Sequence, residues 1–431
     1  MKKTFNREYL PERIFIEGFL GLPPMRLDLS PITVLIGSHG TGKSVCAKLV
    51  HLFRDYPTQL FQHAQVKKTV RQADEEWLRI FRRVFKEQYW KKTPFSIRYE
   101  IGSQWIALEW EKGDLLFTTS AYYRTWFTHC KKEIPELFNT VRGRLVNQEF
   151  YDALAELFAG AQARLGIQAG LTQLFIPAVR TYFAMLQNNI FTFLQRNQDL
   201  DPLLIEFGGV WEQIRKTQNW YYRNDEEQVL HQKLKKKAFE ILHGEFLHLK
   251  EDDILKLENG RSVKLVDASS GQQEAVPMIQ SLISLPFRTY GSRGFSVSIE
   301  EPETHLFPSA QRAIVELIST LLNHHGKYDI HFFLTTHSPY LLTALNNGLQ
   351  AGLIRDQMPK EWEKVTNKYI DEEHVLKPGS VNAYNLDDSG CHRIIDDETG
   401  LILADAIDEV SSQIAVEFDG LLEFAFEVRR D

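Results

Sequence analysis

One octapeptide constrains this chain more than anything else in it. Gly37-Ser38-His39-Gly40-Thr41-Gly42-Lys43-Ser44 fits the pattern G-x-x-x-x-G-K-S, and does so once. It follows Ile32-Thr33-Val34-Leu35-Ile36, a β-branched run that predicts a buried strand. It precedes Val45, Leu49, Val50 and Phe53, whose spacing predicts a helix. A glycine loop between strand and helix is the context a phosphate-cradling loop requires. The glycines let backbone N–H groups turn onto phosphate oxygens, and the helix N-terminus adds partial positive charge. In such a loop Lys43 reaches the β- and γ-phosphates and Ser44 ligates Mg2+. The fold class that follows is α/β, a sheet flanked by helices.

A phosphate loop needs a carboxylate on a second strand. Phe295 to Ile299 predicts a buried strand that ends in Glu300-Glu301-Pro302-Glu303. Two acids at one strand end can divide the work, Glu300 toward the metal and Glu301 as general base or water-positioning group. A third strand, His331 to Leu334, runs into Thr335-Thr336-His337-Ser338, which places His337 at a strand end where it can bond a phosphate or the attacking water. Ala268-Ser269-Ser270-Gly271-Gln272-Gln273-Glu274 opens a predicted helix with small residues and hydroxyls, again an anion-binding arrangement. Taken singly, Ser269 reads as a helix cap and His337 as a surface histidine before a Ser-Pro turn. Their order along the chain is what raises them above that.

Elsewhere the pattern is that of a globular chain: 431 residues, 43% hydrophobic and 25% charged. No apolar run is long enough to predict a transmembrane helix, and the start, Met1 to Glu8, lacks the apolar stretch of a signal peptide. Cys46, Cys130 and Cys391 are scattered and suggest neither disulfides nor zinc, which fits a cytoplasmic location. A net charge of −7 excludes a bulk polycation. A local basic stretch, 67 to 98, interleaves Trp77, Tyr89 and Trp90 and could contact DNA, or could be an amphipathic helix with a solvated basic face.

Period-two alternation predicts an antiparallel meander over 95–118, with turns at Gly102-Ser103 and Gly113-Asp114. One helix is expected over 73–90. Mostly helical structure is expected over 121–168 and from Thr181 to about His243, and a hairpin about Asn259-Gly260. A helix over 309–323, a strand pair near 381–395 and a closing amphipathic helix from Ala404 to Phe426 complete the expectation. Asp387-Asp388 and Asp396-Asp397-Glu398 sit in turn-like contexts and read as loop acids.

The order of these motifs (P-loop, long interval, Ser-Ser-Gly-Gln-Gln, acid strand, His strand) resembles that of ABC-type ATPase heads in the RecF, SMC-like and OLD (overcoming lysogenization defect) branch. Glu300-Glu301-Pro302-Glu303-Thr304-His305-Leu306-Phe307-Pro308 and Ile176-Pro177-Ala178-Val179-Arg180 are similar to stretches of the OLD-like, defence-associated group. Departures are His39 where the family often has Asn, Glu300 where most members have Asp, and a shortened signature. The glutamine that usually contacts Mg2+ has three candidates, Gln62, Gln65 and Gln104.

The resemblance implies an ABC-type P-loop ATPase head, a mixed sheet with an antiparallel meander, using ATP and Mg2+. Residues 1–180 would form its first half, 181–245 an inserted helical arm, and 246–431 its second half. It implies a homo-oligomer, dimer or higher, in which Ser269, Ser270, Gly271 and Gln272 of one copy cap ATP held by the P-loop of the other. The arm is too short for an SMC-type coiled coil. OLD proteins carry a Toprim nuclease after the ATPase, and no such acid cluster follows His337 here. The expectation is therefore an ATPase subunit of a two-gene anti-phage system, of the Septu or PARIS type, that controls a separate nuclease or toxin. The alternative is a RecF-like repair ATPase that binds DNA directly.

Overall fold

The computed structural model describes residues 9–140, 164–185, 200–217, 222, 224–249, 252–288, 294–324, 329–366, 368–403 and 416–419. The chain opens with β1 (Glu12–Glu17), β2 (Met25–Leu29) and β3 (Ile32–Ile36), then the long helix α1 (Lys43–Gln65) and α2 (Val70–Val84). The meander β4 (Phe95–Ile101), β5 (Gln104–Glu111) and β6 (Asp114–Thr119) follows, then α3 (Ala121–Thr140), β7 (Thr172–Ile176), α4 (Pro202–Arg215) and α5 (Asp225–Leu242). A small sheet, β8 (Gly244–Leu249), β9 (Asp252–Leu257) and β10 (Ser262–Lys264), leads to α6 (Ser270–Ser284) and β11 (Gly294–Glu300). The last part holds α7 (Pro308–Asn323), β12 (Asp329–Thr336), α8 (Pro339–Gln357), β13 (Val381–Asp387) and β14 (Gly390–Arg393).

The central sheet has the order β14-β13-β3-β12-β11-β7. β13, β3, β12, β11 and β7 run parallel, and β14 alone pairs antiparallel, to β13. A second, antiparallel sheet has the order β2-β1-β4-β5-β6. In a strand successive side chains face opposite ways, so each central strand feeds two cores. Ile32, Val34, Phe332, Leu334, Val297 and Ile299 join helices α4 to α8 on one face. Leu35, Phe333, Phe175 and Leu386 face α1, α2 and the antiparallel sheet on the other. The two sheets are tied by a buried polar bridge. Glu12 on β1 accepts two bonds from Arg54 of α1, at 2.5 and 2.9 Å, and one from the Tyr99 hydroxyl. Arg54 also reaches the Ser296 hydroxyl on β11 at 3.1 Å.

Several elements differ from the sequence expectation. The helix foreseen over 73–90 is two: α2 stops at Phe85, whose backbone is extended, and a short helix Glu87–Trp90 follows. The Trp90 indole N–H donates to the Phe85 carbonyl and fixes that break. Trp77 and Trp90 are 1% and 2% exposed and belong to the core, so neither can stack on a base; Tyr89 alone of the three aromatics is exposed. Much of the basic stretch is ion-paired as well: Lys68 and Arg79 to Glu76, Arg71 to Glu75, Arg82 and Lys91 to Glu87. The described helices of 181–245 lie on the head: Phe207 and Trp211 of α4 and Leu230 and Leu234 of α5 share a core with the central strands. β8 and α8 have no counterpart in the sequence expectation. The expected helix over 121–168 is α3 for its first part, and 141–163 lies outside the described residues. Of the closing helix only 416–419 is described, and it is helical. Asp387 and Asp396 bond turn residues Ser389 and Thr399, as loop acids do.

Candidate nucleotide site

Parallel sheets bind ligands beyond the carboxyl ends of their strands, and four adjacent strands end together here. Ile36 pairs with Thr336, Thr335 with Glu300 and Ile299 with Ile176. The chain segments that leave these ends are the P-loop, His337, the acid cluster and Pro177 to Arg180. Residues separated by hundreds of positions in the sequence thus share one rim because the strand order is β3-β12-β11-β7.

The P-loop folds as its glycines demand. Gly40 and Gly42 have φ of 80° and 98°, a region that disfavours a side chain. A Cβ on Gly37 would lie 2.0 Å from the Leu386 carbonyl of β13, so this close approach excludes one. Gly42 caps α1 with no side-chain bond, which leaves the first N–H groups of that helix available to an anion. Lys43, 5% exposed, turns back on the loop and donates to Gly37 O at 2.9 Å and Ser38 O at 2.7 Å. Burial pushes its ammonium below the ordinary lysine value, and Glu301 and Glu303 oppose that shift. Thr41 donates to Ser38 O and stiffens the loop.

Glu300 is buried at the end of β11. One of its oxygens accepts from Ala178 N at 3.3 Å. The other, Oε1, is buried without a hydrogen-bond partner among the described residues. Burial raises the Glu300 pKa, opposed by the Lys48 ammonium and the nearby Ser44 hydroxyl. A buried carboxylate oxygen left unpaired beside a hydroxyl suits a hard cation, so Ser44 and Glu300 fit Mg2+. Bound there with ATP, the ion would neutralise phosphate charge. Lys48, ion-paired to Asp201, borders this spot.

Glu301 follows in an unusual conformation, with φ at +44°. Its side chain accepts from His337, Nε2 to Oε1 at 3.2 Å, which joins the two predicted catalytic groups. Burial, and next the Lys43 charge, push the His337 imidazole below its ordinary pKa, with Glu301 opposing. The neutral ring can then accept or relay a proton near pH 7. The ring of His39 lies against it, with centroids 3.8 Å apart. His39, Glu301 and His337 bring three potential ligand atoms within 4.8 Å of one another. His39 therefore does more than replace an Asn: it packs against His337.

Two residues that had no assigned role in the sequence reading organise this rim. Glu303 is buried, and its Oε1 accepts from the His337 backbone N at 2.6 Å and the Thr336 hydroxyl at 2.7 Å. Arg180, fully buried, spreads its guanidinium over the carbonyls of Pro177, Glu274, Glu300 and Glu301. The sequence signals for them are a charged residue in an otherwise apolar or catalytic stretch and their place in the two stretches similar to the OLD-like group.

The Ser-Ser-Gly-Gln segment is more occupied than expected. Ser269 caps α6, its hydroxyl accepting from Gln272 N, while the Gln272 amide oxygen accepts from Ser269 N. Gln272 also donates to Leu242 O. None of these bonds reaches the P-loop of the same chain. With Ser269 and Gln272 engaged in the capping box, Ser270 and Gly271 are the donors left for a phosphate. A Cβ on Gly271 would lie 2.5 Å from His305 O, so the helix start is seated on the turn that follows the acids. The three glutamine candidates do not meet the metal spot. Gln104 bonds Ser103 and Ser120 within the meander. Gln62 and Gln65 lie at the far end of α1, about 28 and 33 Å from its start at about 1.5 Å per residue.

Fold and site together define a P-loop ATPase, an enzyme that hydrolyses ATP. Residues 131–342 match the AAA ATPase domain family, a span that takes in Arg180, α6, both acids and His337 but begins after the P-loop. Among solved structures, the SMC head domain from Thermotoga maritima is similar at 11% identity and a TM-score of 0.37, covering 89% of this chain and 98% of that one. An SMC head bound to the C-terminal winged-helix domain of ScpA is similar at 11% and 0.40, covering 90% and 97%. A Pyrococcus furiosus SMC head with an extended coiled coil, bound to a ScpA C-terminal domain, is similar at 10% and 0.36, covering 89% and 96%. Likenesses this loose add nothing to the strand order and site geometry. No curated protein sequence matches the chain. No described helix is long and apolar enough to cross a membrane.

Proposed function

We propose that this chain is an ATPase head that closes on a second copy of itself around Mg2+-ATP, and that this cycle controls a separate effector, a nuclease or toxin, in prokaryotic anti-phage defence. In this reading Gly37 to Ser44 bind the phosphates, Ser44 and Glu300 hold Mg2+, Glu301 is the general base and His337 orients the attacking water. Ser270 and Gly271, on α6 capped by Ser269 and Gln272, complete the partner's site. The observation that carries the reading is the division of the site. The P-loop, both acids and His337 share one rim, while the side-chain hydrogen bonds of Ser269 and Gln272 at the α6 start run to each other and to Leu242, and none reaches the P-loop. A second copy that presented its Ser270 and Gly271 across that rim would cover the outer side of a bound nucleotide. Phe307 and Tyr340, 77% and 54% exposed, follow the acids and His337 and offer apolar surface beside the same rim. The role in defence rests on the resemblance of the acid-strand and Ile176 to Arg180 stretches to that group. The effector is expected as the product of an adjacent gene, with residues 181–245 or the head surface as its seat.

The test of closure is Ser270→Arg, which places a guanidinium where a partner's γ-phosphate would come. Expected is unchanged ATP binding by the separate chain and loss of ATP-driven self-association, read by light scattering with and without Mg2+-ATP. Wild-type association in that variant would return Ser270 to the role of a helix residue behind a cap. Expression with and without the neighbouring gene, under phage challenge, tests the effector. Protection by this chain alone would refute the two-component reading. Tight binding to gapped DNA with no protein partner would favour the repair ATPase instead, although buried Trp77 and Trp90 and the ion pairs of 67–98 leave that stretch poorly suited to it.

A further inference from the structure

Arg180 is a full guanidinium with no exposed surface, which is costly unless every donor is used and the charge is paired. Four of its five N–H donors are used, across three elements, and its charge is paired with Glu274. From the segment after β7 it reaches α6, where Nε donates to Glu274 O at 3.0 Å and lies 3.3 Å from the Glu274 carboxylate. Nη1 donates to Pro177 O and to Glu300 O, both at 2.8 Å, and Nη2 donates to Glu301 O at 3.0 Å. The Glu274 carboxylate returns the contact: its two oxygens accept from the backbone N–H groups of Arg180 and Thr181, at 3.0 and 3.1 Å.

Both acids are thereby held through their own carbonyls by a residue that also grips the α6 helix. The grip matters most at Glu301. A left-handed φ is uncommon for a side chain of this size and persists only where the surroundings fix it. Here the Glu301 N–H donates to Thr335 O, and its carbonyl accepts from Arg180 and Thr304. Glu274 is one helical turn from Ser270, on the helix whose start abuts His305 in the turn after the acids. A displacement of the α6 start has a short, rigid route to the Glu301 backbone.

We propose that Arg180, paired with Glu274, is a positioning residue that couples the start of α6 to the geometry of Glu301, so that capture of a partner's nucleotide by Ser270 and Gly271 sets the catalytic acid of the same chain. This rests on the closure reading above. Arg180 touches no substrate. It acts by fixing the peptide planes on either side of Glu301, where a displacement near 1 Å costs about 100-fold in rate.

The experiment uses the full chain with Arg180→Lys and, separately, Glu274→Gln. Lysine keeps the charge but offers a point donor, which cannot span carbonyls on three elements. Glutamine keeps the shape and loses the pairing. Binding of a fluorescent ATP analogue, ATP-driven self-association and turnover are measured on each, with thermal denaturation as the control for folding. Expected is analogue affinity within about threefold of wild type, retained association, and kcat lower by about 100-fold. The double variant is expected to be no slower than Arg180→Lys alone, because both break one link. Wild-type kcat in either variant overturns the proposal. So does loss of affinity and turnover in equal proportion, which marks Arg180 as scaffold only; if Arg180→Lys does not fold, Glu274→Gln decides by the same criteria. A wild-type chain that turns over ATP without associating would instead refute the closure reading, and the kcat effect of Arg180→Lys would then stand or fall alone.

Discussion

Replacing Glu303 separates the two jobs a buried carboxylate can have. Its Oε1 accepts two bonds, from the His337 N–H and the Thr336 hydroxyl, and its Oε2 has no partner among the described residues. Burial raises its pKa, with the nearby Glu301 charge acting the same way, so the charge itself is a burden. Glu303→Gln keeps an acceptor oxygen in place of Oε1 and removes the buried charge. Its expected stability change is small, within about 1 kcal/mol, because both bonds survive. Glu303→Ala removes the acceptor of the His337 N–H and of the buried Thr336 hydroxyl. Hydrogen bonds to a charged group are worth about 1.5–3 kcal/mol and an orphaned donor costs about 1–3 kcal/mol, so a loss of about 3–5 kcal/mol is expected. The His337 backbone is also released, so the imidazole leaves its place beside Glu301, and kcat is expected to fall about 10- to 100-fold. Urea denaturation at pH 7.5 and steady-state ATP hydrolysis on both variants provide the assay. If alanine matches glutamine in both stability and kcat, Glu303 does not position His337, and the reasoning fails.

Lys43→Ala is expected to abolish ATP turnover, since the chain has one P-loop lysine; wild-type hydrolysis by the purified variant would remove the nucleotide-site assignment. Glu301→Gln is expected to bind ATP and hydrolyse it about 100- to 10,000-fold more slowly, the amide being unable to take a proton. Normal turnover there would move the base to Glu300. Stability should also fall with acid: burial, aided by the Arg54 charge, holds the imidazoles of His51 and His331 down to about 4 and about 3. An unfolded histidine titrates near 6.5, so below that pH the unfolded chain binds protons the folded one refuses. Their contribution is complete above about pH 6.5 and is lost progressively below it, about 2 kcal/mol each at pH 5. His331→Asn should flatten the decline in urea midpoint between pH 7 and 5; an unchanged slope would contradict a neutral buried His331.

Local pattern determined a good deal of this protein. The β-branched run before Gly37, the apolar stripe after Ser44, the alternation of the meander and the Asn259-Gly260 turn each encode their own geometry, because a period of two or 3.6 and a glycine φ are properties of a few neighbouring residues. The same local signals single out Lys43, Ser44, Glu300, Glu301 and His337 as candidates, and the strands that carry them lie side by side. What the sequence could not carry is adjacency between strands. Only the order β3-β12-β11-β7 brings His39 against His337, Glu303 onto the His337 backbone, and Arg180 between Glu274 and the carbonyls of Glu300 and Glu301. The same tertiary packing buries Trp77 and Trp90, which alternate with basic residues in the sequence as a nucleic-acid surface would, and it occupies Ser269 and Gln272 in a cap. Burial and partner choice depend on residues far away in the chain, and a window of neighbouring residues holds no record of them.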